Sequence, residues 1–414
     1  MMGDILFLAH RIPYPPNRGD KIRSFNILKR LCDLATVHVA TFADDDADLA
    51  HAEALRPMLG SLHVEKRSVS KPVGAAKAML TGKPISLTLF DSAALRGYVS
   101  RTLAEEEIET VFGFSGQMAQ FVPDLPQGIR FVMDFVDVDS QKFAAYAAAG
   151  RGPMRYVHAR EARKLAAFEN MVAHRADYSL LVSEAEAGLF RRETGLGADK
   201  VRALENGIDC GFFDPDADFP TIDRPDGPLI VFTGQMDYRP NIEAAVSFAD
   251  DVLPAIRDQN PHVHFAIVGR NPASELERLG RRENILLTGG VEDIRSWLAA
   301  ADIVAAPLRI ARGIQNKVLE AMAMARPAIV SRQAFEGIDA APGEDLLVAD
   351  TPSEEANLVL ELLNNRAMAE AIGRSARRKM LDRYVWKQTL APLMELTGPR
   401  PIAVRAGELA AATG

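Results

Sequence analysis

RIARGIQNKVLEAMAMARPAIVS, Arg309 to Ser331, reads as a loop, a helix and a buried strand. Gly313 lies in the loop, and Ile314, Gln315 and Asn316 lead into a helix whose buried side carries Val318, Leu319 and Met322. Pro327 breaks that helix, and Ala328-Ile329-Val330 starts the next strand. Lys317 and Glu320, three residues apart, project from one face of the first turns. A helix N-terminus already presents unpaired N–H groups to an anion. A lysine and a carboxylate added there supply donors for a diphosphate and an acceptor for ribose hydroxyls, which outlines a nucleotide-sugar site. The donor-binding candidates in this stretch are therefore Gly313, Ile314, Gln315, Asn316, Lys317 and Glu320. A lone Lys-x-x-Glu would read as a solvated helix face; the full string, placed before a buried strand, favours the site.

Outward from that stretch, short apolar runs alternate with helical segments along the whole chain. In the first half the runs are Asp4–Ala9, Thr36–Phe42, Ile108–Phe114, Ile129–Phe135, Tyr178–Ser183 and Val201–Leu204. In the second they are Leu229–Thr233, His264–Val268, Asn284–Leu287, Asp302–Ala306, Ala328–Ser331 and Leu346–Val348. Strands that alternate with helices imply parallel sheets wound on both faces. The class is thus α/β, with two doubly wound Rossmann-like domains, 1–205 and 206–384, joined near Asn206-Gly207-Ile208-Asp209 and facing an inter-domain cleft. Ligands of such sheets lie at the carboxyl ends of the strands. A first-domain helix is expected near Ser24, as its N-cap. The tail 398–414 is expected to be loosely held.

Hydrophobic content of 48% and charged content of 25% over 414 residues fit a soluble globular protein with large cores. No run approaches the roughly 20 apolar residues of a membrane span. MMGDILFLAH flows straight into a strand without a basic leader, so no signal peptide is expected. Cys32 and Cys210 fit no metal or redox spacing and read as buried thiols of a cytoplasmic protein. Basic and acidic residues balance in 1–205, so the whole net charge of −8 falls on the second half. That acidity argues against nucleic acid as a partner. Within the neutral half, basic residues cluster: Lys66, Arg67, Lys71, Lys77 and Lys83, then Arg151, Arg155, Arg160, Arg163 and Lys164. They suit either peripheral association with an anionic membrane surface or plain solvation.

Other loops carry candidate chemistry. Pro15 to Lys21 (PPNRGDK) follows the first strand, where one glycine lets a phosphate or sugar approach the backbone. Phe232 to Asn241 (FTGQMDYRPN) is a strand, a tight exit at Gly234 and a helix start, and Arg239 offers a guanidinium for the diphosphate. Gly269-Arg270 and Thr288 to Val291 end two further strands on the same rim, and Arg270 is placed to reach base or phosphates. Asp137-Val138-Asp139 and Asp44-Asp45-Asp46 match a metal-binding Asp-x-Asp triplet, but two winding patterns disagree with the architecture that uses it. No metal is expected, and the histidines show no zinc spacing.

Glu320-Ala321-Met322-Ala323 with Pro327 resembles the donor signature of glycosyltransferase family 4. The family's earlier glutamate, eight residues before, is Arg312 here. The resemblance implies a GT-B fold, Glu320 as ribose ligand, and a last helix (385–397) that crosses back to the first domain. It implies that Gly19 and Asp20 face the donor, that the Val291 backbone meets the nucleobase, and that Arg239 stands in for a basic residue usually nearer Gly234, where this chain has Gln235. The family commonly places a histidine after a first-domain strand; this chain has FVMDFVDVDS, with Asp137 as the candidate beside the reacting carbon and Asp134 second. Both suit a structural capping role as well. Together with the PPNRGDKIRS loop, the helix Tyr156–Phe168 and LVSEAEAGLF, these motifs resemble the sugar transferases of exosortase/PEP-CTERM exopolysaccharide systems.

The implied activity is transfer of a sugar from a UDP- or GDP-sugar to a glycan or polyprenyl-linked acceptor, with retention and without metal or other cofactor. Lys317 would neutralise the departing diphosphate. The implied location is the cytoplasm, at the inner face of the membrane. A nucleotide-sugar epimerase of the same architecture, or a non-catalytic nucleotide-sugar-binding protein, remain the alternatives.

Overall fold

The computed structural model describes residues 3–150, 152–311 and 314–398, without the Lys71 side chain. Arg151, Arg312, Gly313 and the tail from 399 lie outside the described residues. Two compact units result: residues through Glu205 together with those from Leu390 on, and Asn206–Thr389.

The first unit holds a parallel sheet of seven strands: β1 (Asp4–Ala9), β2 (Val37–Ala43), β3 (Ser61–Lys66), β4 (Ile108–Phe114), β5 (Arg130–Val136), β6 (Tyr178–Leu181) and β7 (Val201–Ala203). Their order is β3-β2-β1-β4-β5-β6-β7. Ile5 to Ala9 of β1 are wholly buried, as is expected of a central strand covered by helices on both faces. β3, SLHVEK, has no apolar run and lies half-exposed at the sheet edge, which is why no hydrophobic signal marks it. The second unit has six parallel strands: β8 (Leu229–Thr233), β9 (His264–Val268), β10 (Ile285–Gly289), β11 (Ile303–Ala306), β12 (Ala328–Ser331) and β13 (Leu347–Ala349), in the order β10-β9-β8-β11-β12-β13.

Seven helices matter below: α1 (Gly19–Cys32), α2 (Lys71–Thr81), α3 (Asp139–Ala149), α4 (Met154–Arg175), α5 (Arg239–Ser247), α6 (Asn316–Ala323) and α7 (Leu393–Thr397). α1 begins at Gly19, a turn before the expected cap; Ser24 is inside the helix, and its hydroxyl donates to the Asp20 carbonyl at 2.8 Å. The expected terminal helix is two short pieces, Trp386–Thr389 and α7, because Pro392 has no N–H to continue the first. α7 belongs to the first unit. Arg130 donates to the carbonyls of Glu395 and Leu396 at 2.7 and 3.0 Å, and Thr110 to that of Thr397 at 3.0 Å. No described helix is long and apolar enough to cross a membrane.

Candidate functional site

In the second sheet the winding reverses between β8 and β11, since β9 and β10 lie on one side and β12 and β13 on the other. The loops leaving β8 and β11 diverge there and open a crevice at the strand ends, the place where such sheets bind ligands. α5 follows β8 and α6 follows β11. Val318, Leu319, Ala321, Met322 and Ala323 are buried, and that apolar stripe fixes which way Lys317 and Glu320 point.

The Lys317 ammonium lies at this switch point. It donates to Asn241 Oδ1 at 2.6 Å and stands 4.5 Å from the centre of the Phe232 ring. Asn241, on α5, donates in turn to the Gln235 carbonyl at 2.9 Å. Gly234 makes the approach feasible: a Cβ there would come within 2.6 Å of Asn241 Nδ2 and 3.1 Å of Lys317 Nζ. A Cβ on Gly269 would stand 1.7 Å from the Gly234 carbonyl oxygen, so the β8 and β9 exits touch backbone to backbone. Further bonds tie the rim together, from Met236 N to the Arg270 carbonyl at 2.9 Å and from Gly269 N to the Gly289 carbonyl at 3.1 Å.

Burial pushes the Lys317 ammonium down to about 7 and the Glu320 carboxyl up to about 7, and each one's charge only partly offsets the loss of water around the other. Thr233 Oγ1 and Asn316 Oδ1 are buried on this rim without a partner among the described residues. Buried polar atoms left unsatisfied call for an explanation, and a bound polar molecule is one. The crevice thus offers a cation, a carboxyl and spare hydrogen-bonding atoms: chemistry for an anion that carries hydroxyls.

The predicted donor residues divide on this geometry. Lys317, Glu320, Asn316 and Gly234 converge. Ile314 does not: its side chain is buried in the core, leaving only its backbone to face a ligand. Gln315 is the residue before α6, half-buried. Gly313 lies outside the described residues, as does Arg312. Arg239 does not join them: 67% exposed, it bonds Glu243 at 2.7 Å and Glu275 at 3.3 Å, so acidic neighbours already hold the guanidinium. The α5 residue that reaches the lysine is Asn241, which no charge pattern singled out. Arg270 is exposed with its stem against Gly290, and Val291 is half-buried against the core.

In the first unit the winding reverses between β1 and β4. His10 follows β1 and stacks on Phe114 with ring centres 5.9 Å apart. Asp20, implied to face the donor, is gripped by Arg11, by Arg18 at 2.9 Å and by His10 at 3.4 Å. Burial opposes its ionisation, but the His10 hydrogen bond and the charges of Arg11 and Arg18 win and hold the carboxyl well below its usual range. Gly19, first in α1, has open space where a side chain would be, so nothing in the chain itself demands glycine there.

Asp137 is exposed just past β5. Asp134 is corrected: wholly buried and bonded by Arg23 Nε at 2.9 Å, it has no access to a reacting carbon. Burial pushes its carboxyl up, against the pull of Arg23. Asp139 opens α3, and burial raises its carboxyl too; behind it, burial raises Glu169 to about 7 while Glu169 accepts the Ser140 N–H at 3.1 Å.

Asp44, Asp45 and Asp46 are spent on Arg11 and Arg67, on a helix cap and on Lys66. One described trio has metal-ligand spacing, Asp4, His38 and Glu106. It lies at the opposite end of the strands, and both His38 nitrogens are already bonded, to Ser61 at 2.8 Å and Asp4 at 3.1 Å.

Residues 227–365 match the family model described as Glycosyl transferases group 1, about the whole of the second sheet and its crevice. Among solved structures the chain is similar to sucrose-phosphate synthase from Thermosynechococcus elongatus, at 17% identity and a TM-score of 0.67, covering 95% of this chain and 98% of that one. It is similar to Anabaena Alr3699/HepE in complex with UDP-glucose at 16% identity and a TM-score of 0.60, with 95% and 98% covered. WaaG, a glycosyltransferase involved in lipopolysaccharide biosynthesis, gives 16%, a TM-score of 0.64, and coverage of 95% and 100%. No curated protein sequence matches the chain. The fold is GT-B.

Proposed function

We propose that this chain, which carries a group 1 glycosyltransferase domain on a GT-B fold, transfers a sugar from a nucleoside diphosphate sugar to a glycan or polyprenyl-linked acceptor in exopolysaccharide synthesis. The observation that carries the reading is the Lys317 ammonium at the β8/β11 switch point, desolvated and coupled to Glu320. A crevice that strips a lysine and a carboxyl of water is complementary to a diphosphate with ribose hydroxyls behind it. Lys317 and the first-turn amides of α6 neutralise the departing diphosphate, and Glu320 accepts from the ribose. Asp137 stands beside the anomeric carbon, transfer retains configuration, and no metal takes part. Holding of UDP and UDP-glucose by the Anabaena relative supports a uridine donor.

Calorimetry with UDP-glucose and GDP-mannose, for the wild type and Lys317→Met, tests the donor half. Binding by the wild type and at least about a hundredfold loss in the variant are expected. No binding of any nucleoside diphosphate sugar would end the reading. Turnover of the donor without acceptor, to an isomeric sugar nucleotide, would turn it to the epimerase.

An acceptor at the cytoplasmic membrane face is supported by α2. This helix buries Ala78 and Gly74 and turns Val73, Met79 and Leu80 outward, 58%, 55% and 88% exposed. A helix whose solvent side is apolar suits a lipid surface. Exposed Lys83, Arg155 and Arg163 are near it in the fold, since Arg160 of α4 donates to the carbonyls of Ala78 and Lys83 at 2.7 and 3.2 Å. Lys66, Arg67 and Lys77 are instead paired with Asp46, Asp44 and Asp91, and Arg151 and the Lys71 side chain lie outside the described residues.

A further inference from the structure

The first unit has two described non-glycine residues in the left-handed region, Ser115 at φ 73° and Val136 at φ 70°. For a β-branched residue such as valine this is a true outlier. Asp137 N donates back to the Phe135 carbonyl at 3.0 Å, which closes a three-residue γ-turn on Val136 of the rare, strained sign. The register of β5 against β6 also slips here: Asp134 faces Leu180 while Val136 faces Leu181. Backbone held this way persists only where its surroundings over-determine it, and such sites cluster where a side chain must be aimed.

Two neighbours hold it: Val182 N donates to the Val136 carbonyl at 2.7 Å, and Asp134 supplies the other bonds. Val136 N donates to Asp134 Oδ1 at 3.0 Å, and Ser115 N donates to the Asp134 carbonyl at 2.8 Å. Both strained residues hang from Asp134. Its second carboxylate oxygen accepts Arg23 Nε at 2.9 Å, with both side chains buried. Arg23 lies on α1, three residues after the Asp20 anchor. A buried ion pair is a poor source of net stability, since an apolar pair of like volume is often as good or better. Stability therefore does not account for its presence, whereas geometry does.

We infer that Arg23 and Asp134 are positioning residues: their buried pair clamps the β5 γ-turn to α1 and so fixes the direction of the exposed Asp137 carboxylate. The inference rests on the transfer reading above and adds to it the device that holds its first-unit carboxylate. Neither residue touches substrate.

Two double variants test it, each assayed for melting temperature, donor KM and kcat beside the wild type and Asp137→Ala. Arg23→Met/Asp134→Leu removes the acceptor for Val136 N–H and leaves an apolar pair. Its melting temperature and donor KM are expected to stay near wild type while kcat falls at least about thirtyfold, the scale of a displacement near one ångström. Arg23→Gln/Asp134→Asn keeps the acceptor and a neutral hydrogen bond between the amides, and is expected to recover kcat to within about fivefold of wild type. A wild-type kcat in the apolar double, or an undisturbed kcat in Asp137→Ala, overturns the inference alone. Loss of kcat in both doubles only in step with the folded fraction overturns it as well, by making the pair merely structural. A wild type that binds donor and transfers nothing removes the parent reading and this one with it.

Discussion

Affinity for a nucleoside diphosphate sugar should peak near pH 7 and fall on both sides, because burial in the crevice holds Lys317 and Glu320 at about 7. UDP-glucose suits the measurement, since its diphosphate diester takes up no proton in this range. Bound diphosphate favours the charged ammonium, so above pH 7 binding must first recharge Lys317. Each further pH unit weakens binding about tenfold, or roughly 1.4 kcal/mol. From pH 7 to 9 the loss is about twenty-five-fold, since at pH 7 each group is already half in the wrong state. Ribose hydroxyls favour the ionised Glu320, so below pH 7 its deprotonation is the cost, with the same slope and opposite sign. The limbs belong to the coupled pair, because the charge of Glu320 lifts Lys317. Glu320→Gln therefore removes the acid limb and shifts the alkaline limb below 7, while Lys317→Met removes the alkaline limb. Isothermal calorimetry in buffers of different ionisation heat reads the net proton taken up: about zero at pH 7, where uptake by Lys317 and release by Glu320 cancel, and about 0.8 at pH 8. A Kd that stays flat from pH 7 to 9, or an alkaline limb that survives in Lys317→Met, refutes the reasoning.

Other outcomes follow from the same geometry. Gly269→Ala drives a Cβ to 1.7 Å from the Gly234 carbonyl and should cost about 3 kcal/mol in urea unfolding, with donor affinity lost in the surviving fold. Arg239→Ala should leave donor Kd within about twofold, because Glu243 and Glu275 already hold that guanidinium; a tenfold loss by calorimetry would restore Arg239 to the site. Met79→Glu/Leu80→Glu should cut sedimentation with phosphatidylglycerol vesicles at least about tenfold and leave UDP-glucose binding unchanged. Equal sedimentation of the wild type with phosphatidylcholine would refute an anionic surface as the partner.

The apolar runs announced twelve of the thirteen described strands: nine are central, buried on both faces and apolar, and the edge strands β7, β10 and β13 still carry short apolar stretches. β3 escaped because an edge strand can be half polar. At the site, Lys317 and Glu320 were legible because helical spacing puts them on the face opposite Val318, Leu319 and Met322. Asn241 was not legible, since a hydrogen bond across 76 residues leaves no local pattern. Arg239 stood out because charge suggests a phosphate, and only the fold shows the two glutamates beside it. Asp134 and Asp137 look alike in DFVD. One turn of left-handed backbone at Val136 separates a buried brace from an exposed carboxylate, and valine gives no hint of that conformation.

The hydrogen bonds from Arg130 and Thr110 to the carbonyls of Glu395, Leu396 and Thr397 set an order of events at the ribosome. The whole second unit, 206–389, is translated between donors and acceptors. Begun first, the amino-terminal unit is therefore completed last. Until α7 arrives, the starts of β4 and β5 lack these partners, and a chain stopped at Thr389 would leave that edge open with the donor crevice already built.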